Sequence, residues 1–430
     1  MINVVKKAVI FAGGLGTRLK PWTRDNQKAM YPINGRPFLC YLIEQVKGFG
    51  IAEIIILLGY KAESVIGYFC SIGKKKENVS SIETFIQKVL YNGLSLIFIT
   101  TPIHYDTNLR LLSAKEYLYS DFLMMYCDNI CPIDFEMLVN NFYKHNAMIE
   151  ITAYENKDMW TKDNLIVNDN GKVLLYDKKR EKYNLHGVDI GYAIVSKKIF
   201  EMMKDENVNF EAYIYHKLIN DSCDISFQNS NSDLKEGLYA TFTKHRYYSI
   251  GSYERIEQTK EFLSDRKFIF LDRDGTINVK PKTAEYIKEP NDFIWLNGSK
   301  EAIKLLCDND YRVLIAMNQA GIGRGIITLS DFDAVNKKME TDLNEIGAKI
   351  DKIYFCPHNW NENCDCRKPK TGMLYQAQKD YNIDLTKCVF IGDDERDIEM
   401  AMSAGMKGML VDEKYSLLDA VKEVLKINKN

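Results

Sequence analysis

The sequence predicts an α/β protein built from two doubly wound, Rossmann-like domains. Short apolar runs alternate with helical segments, a pattern typical of largely parallel sheets flanked by helices. The 430 residues are too many for one ordinary hydrophobic core. In addition, KFIFLDRDGTIN at 267–278 starts a new buried strand after more than half of the chain. We therefore expect domains at residues 1–262 and 267–430.

The elements of the first domain follow from apolar runs and their spacing. Strands are expected at 8–11, 53–58, 94–100 and 122–126, and helices at 37–49, 62–69 and 109–118. A polar and helical connector is expected at 259–266. Because ligands bind at the carboxyl ends of the strands in such sheets, the residues after each strand are the first candidates for a site.

Composition narrows the class of protein. Apolar residues make up 46% and charged residues 27%, with a net charge of -2, which indicates a soluble globular protein and gives no argument for nucleic acid or membrane partners. No apolar run approaches the length of a bilayer span. Of 10 cysteines, three lie within 356–366, which favours metal binding over disulfides and a reducing, cytoplasmic location. A homo-oligomer is left open.

A glycine-rich loop follows the first strand. Gly13, Gly14 and Gly16 let the backbone approach a ligand closely, and Arg18 is suited to phosphate. An ordinary turn is the alternative interpretation. A carboxylate, Asp128, ends another strand, and a glycine loop and a Mg²⁺ ligand at one edge suit a nucleoside triphosphate.

AGGLGTRL together with KAM and GRPFL resembles the sugar-nucleotide pyrophosphorylase family over roughly the first 260 residues. The resemblance implies that the glycine loop, with Arg18, holds the triphosphate, that Lys28 contacts phosphate, and that Asp128 binds Mg²⁺. The implied loop residues are Gly13, Gly14, Gly16 and Thr17.

Two later segments extend this resemblance. VLLYDKK implies that Lys178 binds the sugar phosphate, and VDIGYAIV implies that Asp189 binds sugar hydroxyls. Without the resemblance, Lys178 reads as a solvated charge in the run 178–180.

The chain departs from the family pattern in three places. HYDTNLRL at 104–111 replaces a small glycine-rich loop beside the base, so base preference cannot be read. Gln27 stands where proline is expected. Ser249 stands where a second metal-binding aspartate is common, so either one carboxylate suffices or another residue supplies the second.

The second domain opens with a pair of acids. In the DxDGT spacing the first carboxylate, Asp272, can attack phosphorus while the second, Asp274, moves a proton; an exposed turn is the alternative. The stretch resembles the haloacid dehalogenase phosphatase superfamily. That resemblance implies an aspartyl phosphate on Asp272, and Mg²⁺ held by Asp272, the carbonyl of Asp274 and Asp393. Asp394 and Asp397 would support this site.

The second motif of that superfamily departs from its usual form. Its position normally carries a serine or threonine that bonds to the transferring phosphoryl group, and here Met317 is expected to face that phosphate. Asn318 is expected to replace the hydroxyl in part. GIGRG adds Arg324 as a substrate-binding residue.

A cluster of cysteines and a histidine indicates zinc. The four candidates match a closed tetrahedral Zn²⁺ site, which would be structural, although chance clustering of free thiols is the alternative. They are Cys356, His358, Cys364 and Cys366. Arg367 and Lys368 follow at once, and the superfamily implies that the lysine neutralises the phosphoaspartate while the arginine meets substrate phosphate.

These motifs together resemble the heptose bisphosphate phosphatases, with histidinol phosphatases as relatives. The resemblance implies a bifunctional enzyme. A heptose 1,7-bisphosphate 7-phosphatase would feed a D-glycero-D-manno-heptose 1-phosphate guanylyltransferase, giving GDP-heptose for lipopolysaccharide or capsule. Two alternatives stay open. One is a hexose 1-phosphate nucleotidyltransferase with an auxiliary phosphatase, and the other makes one domain degenerate and regulatory.

Overall fold

The computed structural model describes residues 5–80, 84–221, 237–282 and 285–427. The chain divides into two compact units, Met1–Lys260 and Glu261–Asn430, and both are α/β. The predicted fold class is confirmed. Among the described residues, none of the helices combines the length and the apolar character that crossing a bilayer would require.

The first unit is built on one large sheet. Its strands and those of three small two-stranded sheets are β1 (Lys7–Ala12), β2 (Pro32–Ile33), β3 (Arg36–Pro37), β4 (Glu53–Leu58), β5 (Lys74–Ser80), β6 (Phe85–Tyr91), β7 (Leu94–Thr100), β8 (Phe122–Tyr126), β9 (Asn129–Ile130), β10 (Ile149–Tyr154), β11 (Leu165–Val167), β12 (Val173–Tyr176), β13 (Val188–Val195), β14 (Leu238–Thr243) and β15 (Tyr248–Ser249). The helices are α1 (Phe38–Gly48), α2 (Ala62–Ile72), α3 (Thr107–Leu112), α4 (Phe135–Lys144), α5 (Ile199–Met202), α6 (His216–Asp221) and α7 (Tyr253–Phe262).

The order of strands in the large sheet is β14-β10-β13-β8-β1-β4-β7-β6-β5. β1 pairs in parallel with β4 on one side and with β8 on the other. The connections that follow β1 therefore build the sheet outward on one side of β1 and later on its other side. The carboxyl end of β1 is thus a topological switch point, where α/β sheets bind ligands. Every residue of β1 is buried, which explains why the strand reads as a continuous apolar run.

The second unit has a five-stranded sheet in the order β18-β17-β16-β19-β20, with all pairs parallel. The strands are β16 (Lys267–Leu271), β17 (Tyr311–Asn318), β18 (Lys352–Cys356), β19 (Val389–Gly392) and β20 (Lys407–Leu410). The helices are α8 (Ser299–Asp308), α9 (Ala320–Gly323), α10 (Leu329–Asn344), α11 (Gly372–Tyr381), α12 (Glu395–Ser403) and α13 (Leu417–Ile427). β16 lies at the centre, so its carboxyl end is again a switch point.

Both faces of this second sheet are covered. Ile269 and Leu271 of β16 pack in one core with α8, α10 and α13. Phe268 and Phe270 pack on the other face with α11 and α12. The alternation is the period of two that a strand imposes on its side chains, and it fixes which face the next residue, Asp272, leaves from.

The structure corrects three predicted details. The large sheet is mixed rather than largely parallel, because β13 runs antiparallel to β8 and β10, and β6 runs antiparallel to β5 and β7. The predicted helix 109–118 ends at Leu112, after which only a short 3-10 turn follows. The helix expected at 259–266 instead begins at Tyr253 and ends at Phe262. Tertiary packing, which local patterning cannot report, sets these boundaries.

Candidate active sites

A cavity of about 350 Å³ opens at the carboxyl ends of β1 and β8. It brings together seven of the predicted residues: Gly13, Gly14, Gly16, Thr17, Arg18, Lys28 and Asp128. Two basic side chains and a glycine-rich loop that line one space suit a polyphosphate. The residues predicted for the triphosphate thus share a single site in the first unit.

The glycine loop is held in place by its neighbours. Gly16 has a φ of +60°, and a Cβ there would lie 3.0 Å from the Cβ of Lys28, so glycine is required by conformation and by space. Below the loop, the buried Gln27 donates a hydrogen bond of 2.6 Å from Nε2 to the Ala12 carbonyl. Gln27, the departure from the family's proline, therefore supports the loop through its side chain.

Lys28 and Asp128 form an ion pair, with Nζ and Oδ2 2.7 Å apart. Asp128 could hold a divalent cation, and Lys28 contacts one of the carboxylate oxygens that would bind it. Ser249 lies opposite Asn129 in the β15–β9 pair, and its hydroxyl accepts a hydrogen bond from the Gly251 N–H at 2.9 Å. Ser249 thus stabilises a turn at the cavity edge instead of supplying a second carboxylate.

Lys178 and Asp189 lie outside the lining of this cavity, in a second cluster around Glu211. Lys178 Nζ donates to Asn209 at 2.7 Å and to Glu211 at 2.8 Å. Burial raises the pKa of Asp189 to about 7, with a contribution from Glu211. Lys178 is therefore a half-exposed side chain in an ion pair with Glu211 rather than an unpaired surface charge. Sequence reasoning missed Glu211, because no local motif marks it.

Tyr126, the last residue of β8, connects the cavity to this cluster. Its ring lines the cavity and stacks on Phe11 at 5.1 Å. Its hydroxyl is buried and has no hydrogen-bond partner among the described residues. Burial, with a contribution from Glu211, raises its pKa. The Tyr126 hydroxyl therefore lies beside Glu211, at the boundary between the cavity and the second cluster.

The altered loop at 104–111 also reaches the cavity. Its lining residues, with the residue before it, are Ile103, Tyr105, Asp106, Thr107 and Arg110. The loop is tied down, because Asp106 caps α3 by accepting from the Thr107 N–H at 2.7 Å. Arg110 was not singled out from the sequence, since its burial depends on tertiary packing.

In the second unit, the predicted nucleophile and lysine are in direct contact. Lys368 Nζ lies 2.7 Å from Asp272 Oδ1 and 2.7 Å from Asp397 Oδ1. Burial raises the pKa of Asp272, opposed by Lys368 and aided by Asp397. Burial alone would lower the pKa of Lys368, but the two carboxylates outweigh it and raise it. One ammonium thus compensates two buried carboxylates, as a desolvated anion requires.

Asp274 is held by a different set of groups. Its carboxylate accepts from Arg273 Nε at 3.0 Å, from Asn278 Nδ2 at 3.1 Å and from Gln319 Nε2 at 3.0 Å. Burial would raise the pKa of Asp274, but the Arg273 guanidinium and these hydrogen bonds outweigh it and hold the pKa below its usual value. Arg273 and Gln319 were not predicted as site residues. The only signal for Arg273 is its place between the two acids.

Asp393 lies against the backbone of the first motif. A Cβ on Gly275 would come within 2.3 Å of Asp393 Oδ2, so the glycine after Asp274 permits the approach of this carboxylate. Asp393 Oδ1 is buried without a partner among the described residues. Lys280 Nζ contacts Oδ2 at 2.6 Å.

Three carboxylates could hold a metal ion here. Asp272, Asp393 and Asp397 offer oxygens that all lie within 4.8 Å of one another. The donor set and the orphaned oxygen of Asp393 fit Mg²⁺. Asp394 is instead engaged with Arg396 Nη2 at 2.7 Å, and Asp397 is engaged by Lys368. Asp394 would therefore act through its neighbour, whereas Asp397 keeps its place in the cluster of three carboxylates.

Met317 lies near the carboxyl end of β17. Its side chain is 1% exposed and packs in the core that also contains Ile269 and Leu271. Asp272 follows Leu271 and so leaves from the opposite face, by the alternation of the strand. That Met317 faces the attacked phosphate therefore stays a prediction, and the alternation of side chains along the strand argues against it. Its sulfur instead contacts Gln319 Nε2 at 3.5 Å.

Asn318, one residue further, is on the site's face but is already bonded. Its side chain accepts from the Lys368 N–H at 3.1 Å and donates to the Lys368 carbonyl at 3.4 Å. The amide holds the backbone of the lysine rather than pointing free toward a phosphate.

The four predicted zinc ligands converge. One ligand atom of each of Cys356, His358, Cys364 and Cys366 lies within 4.8 Å of the others. Cys356 Sγ and Cys364 Sγ are 3.5 Å apart, and His358 Nδ1 and Cys366 Sγ are 3.2 Å apart. Three sulfurs and one imidazole at such separations fit a tetrahedral Zn²⁺ site.

The cationic side chains near this loop have distinct surroundings. Arg367 has a buried Nη1 without a hydrogen-bond partner among the described residues. The Arg324 guanidinium lies 4.5 Å from the ring centre of Trp360, within the zinc loop, and donates to the Tyr286 hydroxyl at 3.3 Å. Arg367 is thus available for an anion, while Arg324 is positioned by aromatic side chains.

Taken together, the folds and these clusters define a nucleotidyltransferase followed by an aspartate-dependent phosphatase. Family models agree with this class. A nucleotidyl transferase model matches residues 7–163, and a model described as polynucleotide kinase 3 phosphatase matches residues 267–416.

Proteins of similar sequence identify the family of the second unit. A D-glycero-beta-D-manno-heptose-1,7-bisphosphate 7-phosphatase from Haemophilus ducreyi is 39% identical over 149 residues, which are 33% of this chain and 80% of that protein. A D-glycero-alpha-D-manno-heptose-1,7-bisphosphate 7-phosphatase from Campylobacter jejuni is 38% identical over 34% of this chain and 81% of that protein. The chain therefore belongs, through its second unit, to the heptose bisphosphate phosphatase family, and its first unit is a nucleotidyltransferase domain.

A solved structure of D,D-heptose 1,7-bisphosphate phosphatase from B. bronchiseptica, in complex with magnesium and phosphate, also matches. It is 31% identical, covers 37% of this chain and 99% of its own, and has a TM-score of 0.36.

Proposed function

We propose that the chain is a bifunctional enzyme of sugar-nucleotide synthesis. Its second unit would remove the 7-phosphate of D-glycero-D-manno-heptose 1,7-bisphosphate. Its first unit would transfer a guanylyl group to the remaining heptose 1-phosphate, giving GDP-heptose and pyrophosphate. The observation that carries the proposal is the 39% identity to a heptose bisphosphate phosphatase over 80% of that protein's length, in a chain that also carries a nucleotidyltransferase domain.

The phosphatase step follows from the two acids of the first motif. Asp272 would attack the phosphorus of the 7-phosphate, and the bond to the sugar oxygen would break as the aspartyl phosphate forms. Asp274 would deliver a proton to the leaving oxygen and then take one from the attacking water. Its low pKa in the free enzyme means that the proton must be gained as substrate binds, when the phosphate's charge arrives.

Lys368 would neutralise the charge that develops on Asp272 and on the transferred phosphoryl group. Its two ion pairs at 2.7 Å keep it aligned before substrate binds. Arg367, with its unpartnered nitrogen, would meet a substrate phosphate. Mg²⁺ held by Asp272, Asp393 and the Asp274 carbonyl would supply electrostatic shielding between the carboxylates and the phosphate.

The transferase step uses the cavity of the first unit. The glycine loop, Arg18 and Lys28 would hold the triphosphate. An oxygen of the sugar 1-phosphate would then attack the α-phosphorus, and pyrophosphate would leave. Asp128 would hold Mg²⁺, and Lys178 and Asp189 would bind the sugar phosphate and sugar hydroxyls. The choice of guanine rests on an analogy, since a pyrophosphorylase-like fold joined to a heptose phosphatase fits the GDP-linked route.

The experiment supplies the purified protein with heptose 1,7-bisphosphate, as each anomer, and with each of the four nucleoside triphosphates. Both anomers are needed, because relatives of nearly equal identity carry opposite anomers in their names. Phosphate and pyrophosphate release are followed separately. We expect phosphate from the bisphosphate alone, and pyrophosphate only when GTP is also present.

Two variants serve as matched controls. Asp272→Asn should abolish phosphate release yet still give pyrophosphate when heptose 1-phosphate is supplied. Asp128→Asn should abolish pyrophosphate release yet still give phosphate from the heptose bisphosphate. If phosphate appears but pyrophosphate forms only with a hexose 1-phosphate, the heptose assignment of the transferase is wrong.

A further inference from the structure

Arg110 of α3 is a buried arginine at the wall of the cavity in the first unit, and only 5% of it is exposed. Nη1 donates to the Leu58 carbonyl at 2.8 Å and to Thr101 Oγ1 at 2.6 Å. Nη2 donates to the carbonyls of Pro102 at 3.2 Å and Ile103 at 3.1 Å. One guanidinium thus joins the end of β4 to the segment that follows β7.

The same guanidinium lies against two glycines. A Cβ on Gly13 would come within 2.6 Å of Arg110 Cζ, and a Cβ on Gly59 within 2.4 Å of Nη1. Gly13 belongs to the glycine loop, and Gly59 follows β4. Real side chains do not tolerate such approaches, so both positions keep the backbone open for this arginine. Arg110 therefore contacts the ends of three neighbouring strands at the switch point.

The charge of Arg110 is not balanced by an ion pair. In the part of the chain that the structure describes, its hydrogen bonds go to neutral oxygens, and Asp106 offers a favourable charge without forming a direct ion pair with it. A buried cation without a counter-ion is expensive. An anion in the adjoining cavity would offset this cost, and a triphosphate brings several negative charges.

We propose that Arg110 is a positioning residue for the nucleoside triphosphate. Its guanidinium fixes the glycine loop relative to residues 101–106, and it places a positive charge beneath the phosphates. Arg110 acts through the backbone that it holds and through its field, rather than as a group that touches the reacting atoms. The inference rests on nucleotidyl transfer and is independent of which sugar is used.

The test measures equilibrium binding of GTP with Mg²⁺, and of inorganic tripolyphosphate, without any sugar phosphate. Arg110→Met should weaken both ligands by roughly tenfold or more. Arg110→Lys keeps the charge but loses the fork of donors, so it should fall between Arg110→Met and the wild type. In turnover assays the KM for the nucleotide should rise while the KM for the sugar phosphate stays unchanged, a split that a general loss of fold would not give.

Arg255→Met is the matched control. Arg255 also donates to neutral oxygens, of Tyr247 at 3.1 Å and Thr161 at 3.5 Å, but it does not line the cavity. Its loss should leave both affinities unchanged. Gly59→Ala is a second variant in case Arg110→Met does not fold. The added Cβ would displace the guanidinium without removing its charge, and GTP binding should weaken.

Several outcomes would overturn the proposal. A folded Arg110→Met protein that binds both ligands as the wild type does would make Arg110 a structural clamp only. Weaker GTP binding with unchanged tripolyphosphate binding would show that the charge of Arg110 does not contribute to binding of the phosphates. Absence of heptose turnover would leave these binding measurements intact, so failure of the proposed function is distinguishable.

Discussion

Lys368 shows how one side chain can organise the phosphatase site. It is 4% exposed and lies between the carboxylates of Asp272 and Asp397. Two buried carboxylates without it would repel each other and take up protons. Gly392 allows this arrangement, because a Cβ there would come within 2.2 Å of Asp397 Oδ2. The residues that hold the lysine thus matter as much as the lysine.

Met317→Thr tests whether the side chain of Met317 reaches the attacked phosphate. Because the side chain is buried in the core, threonine should leave a small cavity and bury a hydroxyl. We expect the free energy of unfolding to fall by about 2–4 kcal/mol and the rate of phosphate release not to rise. Chemical denaturation and a phosphate-release assay measure the two quantities.

Met317→Leu is the control for this substitution. It conserves volume and should cost less than about 1.5 kcal/mol. A faster phosphatase in Met317→Thr would mean that the side chain reaches the phosphate after all.

At the scale of elements, the candidate zinc loop, residues 356–366, is hydrogen-bonded to the segment that holds Asp274 and runs directly into Lys368. The Gln319 N–H donates to the Cys356 carbonyl at 2.8 Å, and the Gly323 N–H donates to the Pro357 carbonyl at 2.8 Å. Gln319 in turn holds Asp274, and Lys368 follows the last ligand by two residues. A disordered loop would therefore disturb both the acid and the lysine.

Cys364→Ser should remove zinc from this loop. We expect zinc content to fall, phosphate release to fall by roughly a hundredfold because the lysine is displaced, and pyrophosphate release from the first unit to stay unchanged. Metal analysis and the two product assays measure this. Cys307→Ser, whose thiol contacts the Lys349 carbonyl outside the loop, is the control. Full phosphatase activity in a zinc-free Cys364→Ser protein would contradict the bracing role.

Asp342 links α10 to the segment before α8. It accepts from Trp295 Nε1 at 2.7 Å and from Lys338 Nζ at 2.6 Å. Burial would raise the pKa of Asp342, but the hydrogen bonds from Lys338 and Trp295 outweigh it and hold the pKa below its usual value. A carboxyl with a depressed folded pKa contributes stability above its unfolded pKa, and that contribution is lost as the pH falls through the folded value.

Asp342→Asn should therefore lower the free energy of unfolding by about 1 kcal/mol at pH 7. Its difference from the wild type should narrow as the pH falls below about 4, the unfolded pKa of aspartate. Denaturant unfolding across this pH range measures it. Asp333→Asn, at an exposed position on the same helix, should show no such difference. If the difference in free energy of unfolding between Asp342→Asn and the wild type grew as the pH fell, the expected dependence of stability on the Asp342 pKa would be contradicted.

At the scale of the molecule, each unit has its own sheet and its own core. We therefore expect residues 1–262 and 267–430, produced separately, to unfold cooperatively and to keep nucleotidyl transfer and phosphatase activity respectively. Calorimetry and the product assays measure this. Fragments that fold only when mixed would show that the predicted boundaries do not separate independent domains.

The sequence by itself determined the fold class and the identity of most candidate groups. The apolar runs of β1 and β16 mark buried strands, and the acids, glycines and metal ligands lie close together along the chain, so local spacing reports them. It was also sufficient for the pairing of a nucleotidyltransferase with a heptose-type phosphatase, because the motifs at 13–18, 272–276 and 356–368 are short and contiguous.

Only the tertiary structure showed some of the contacts. Glu211 reaches Lys178, and Arg110 reaches Gly13. The approach of Lys368 and Asp397 to Asp272, by contrast, was already implied by the resemblance. The face of the sheet on which Met317 lies depends on the register of β17 against β16. Matching one residue to a sequence motif does not report that register. Burial and contact across strands are properties of packing, so neither can be read from spacing along one segment.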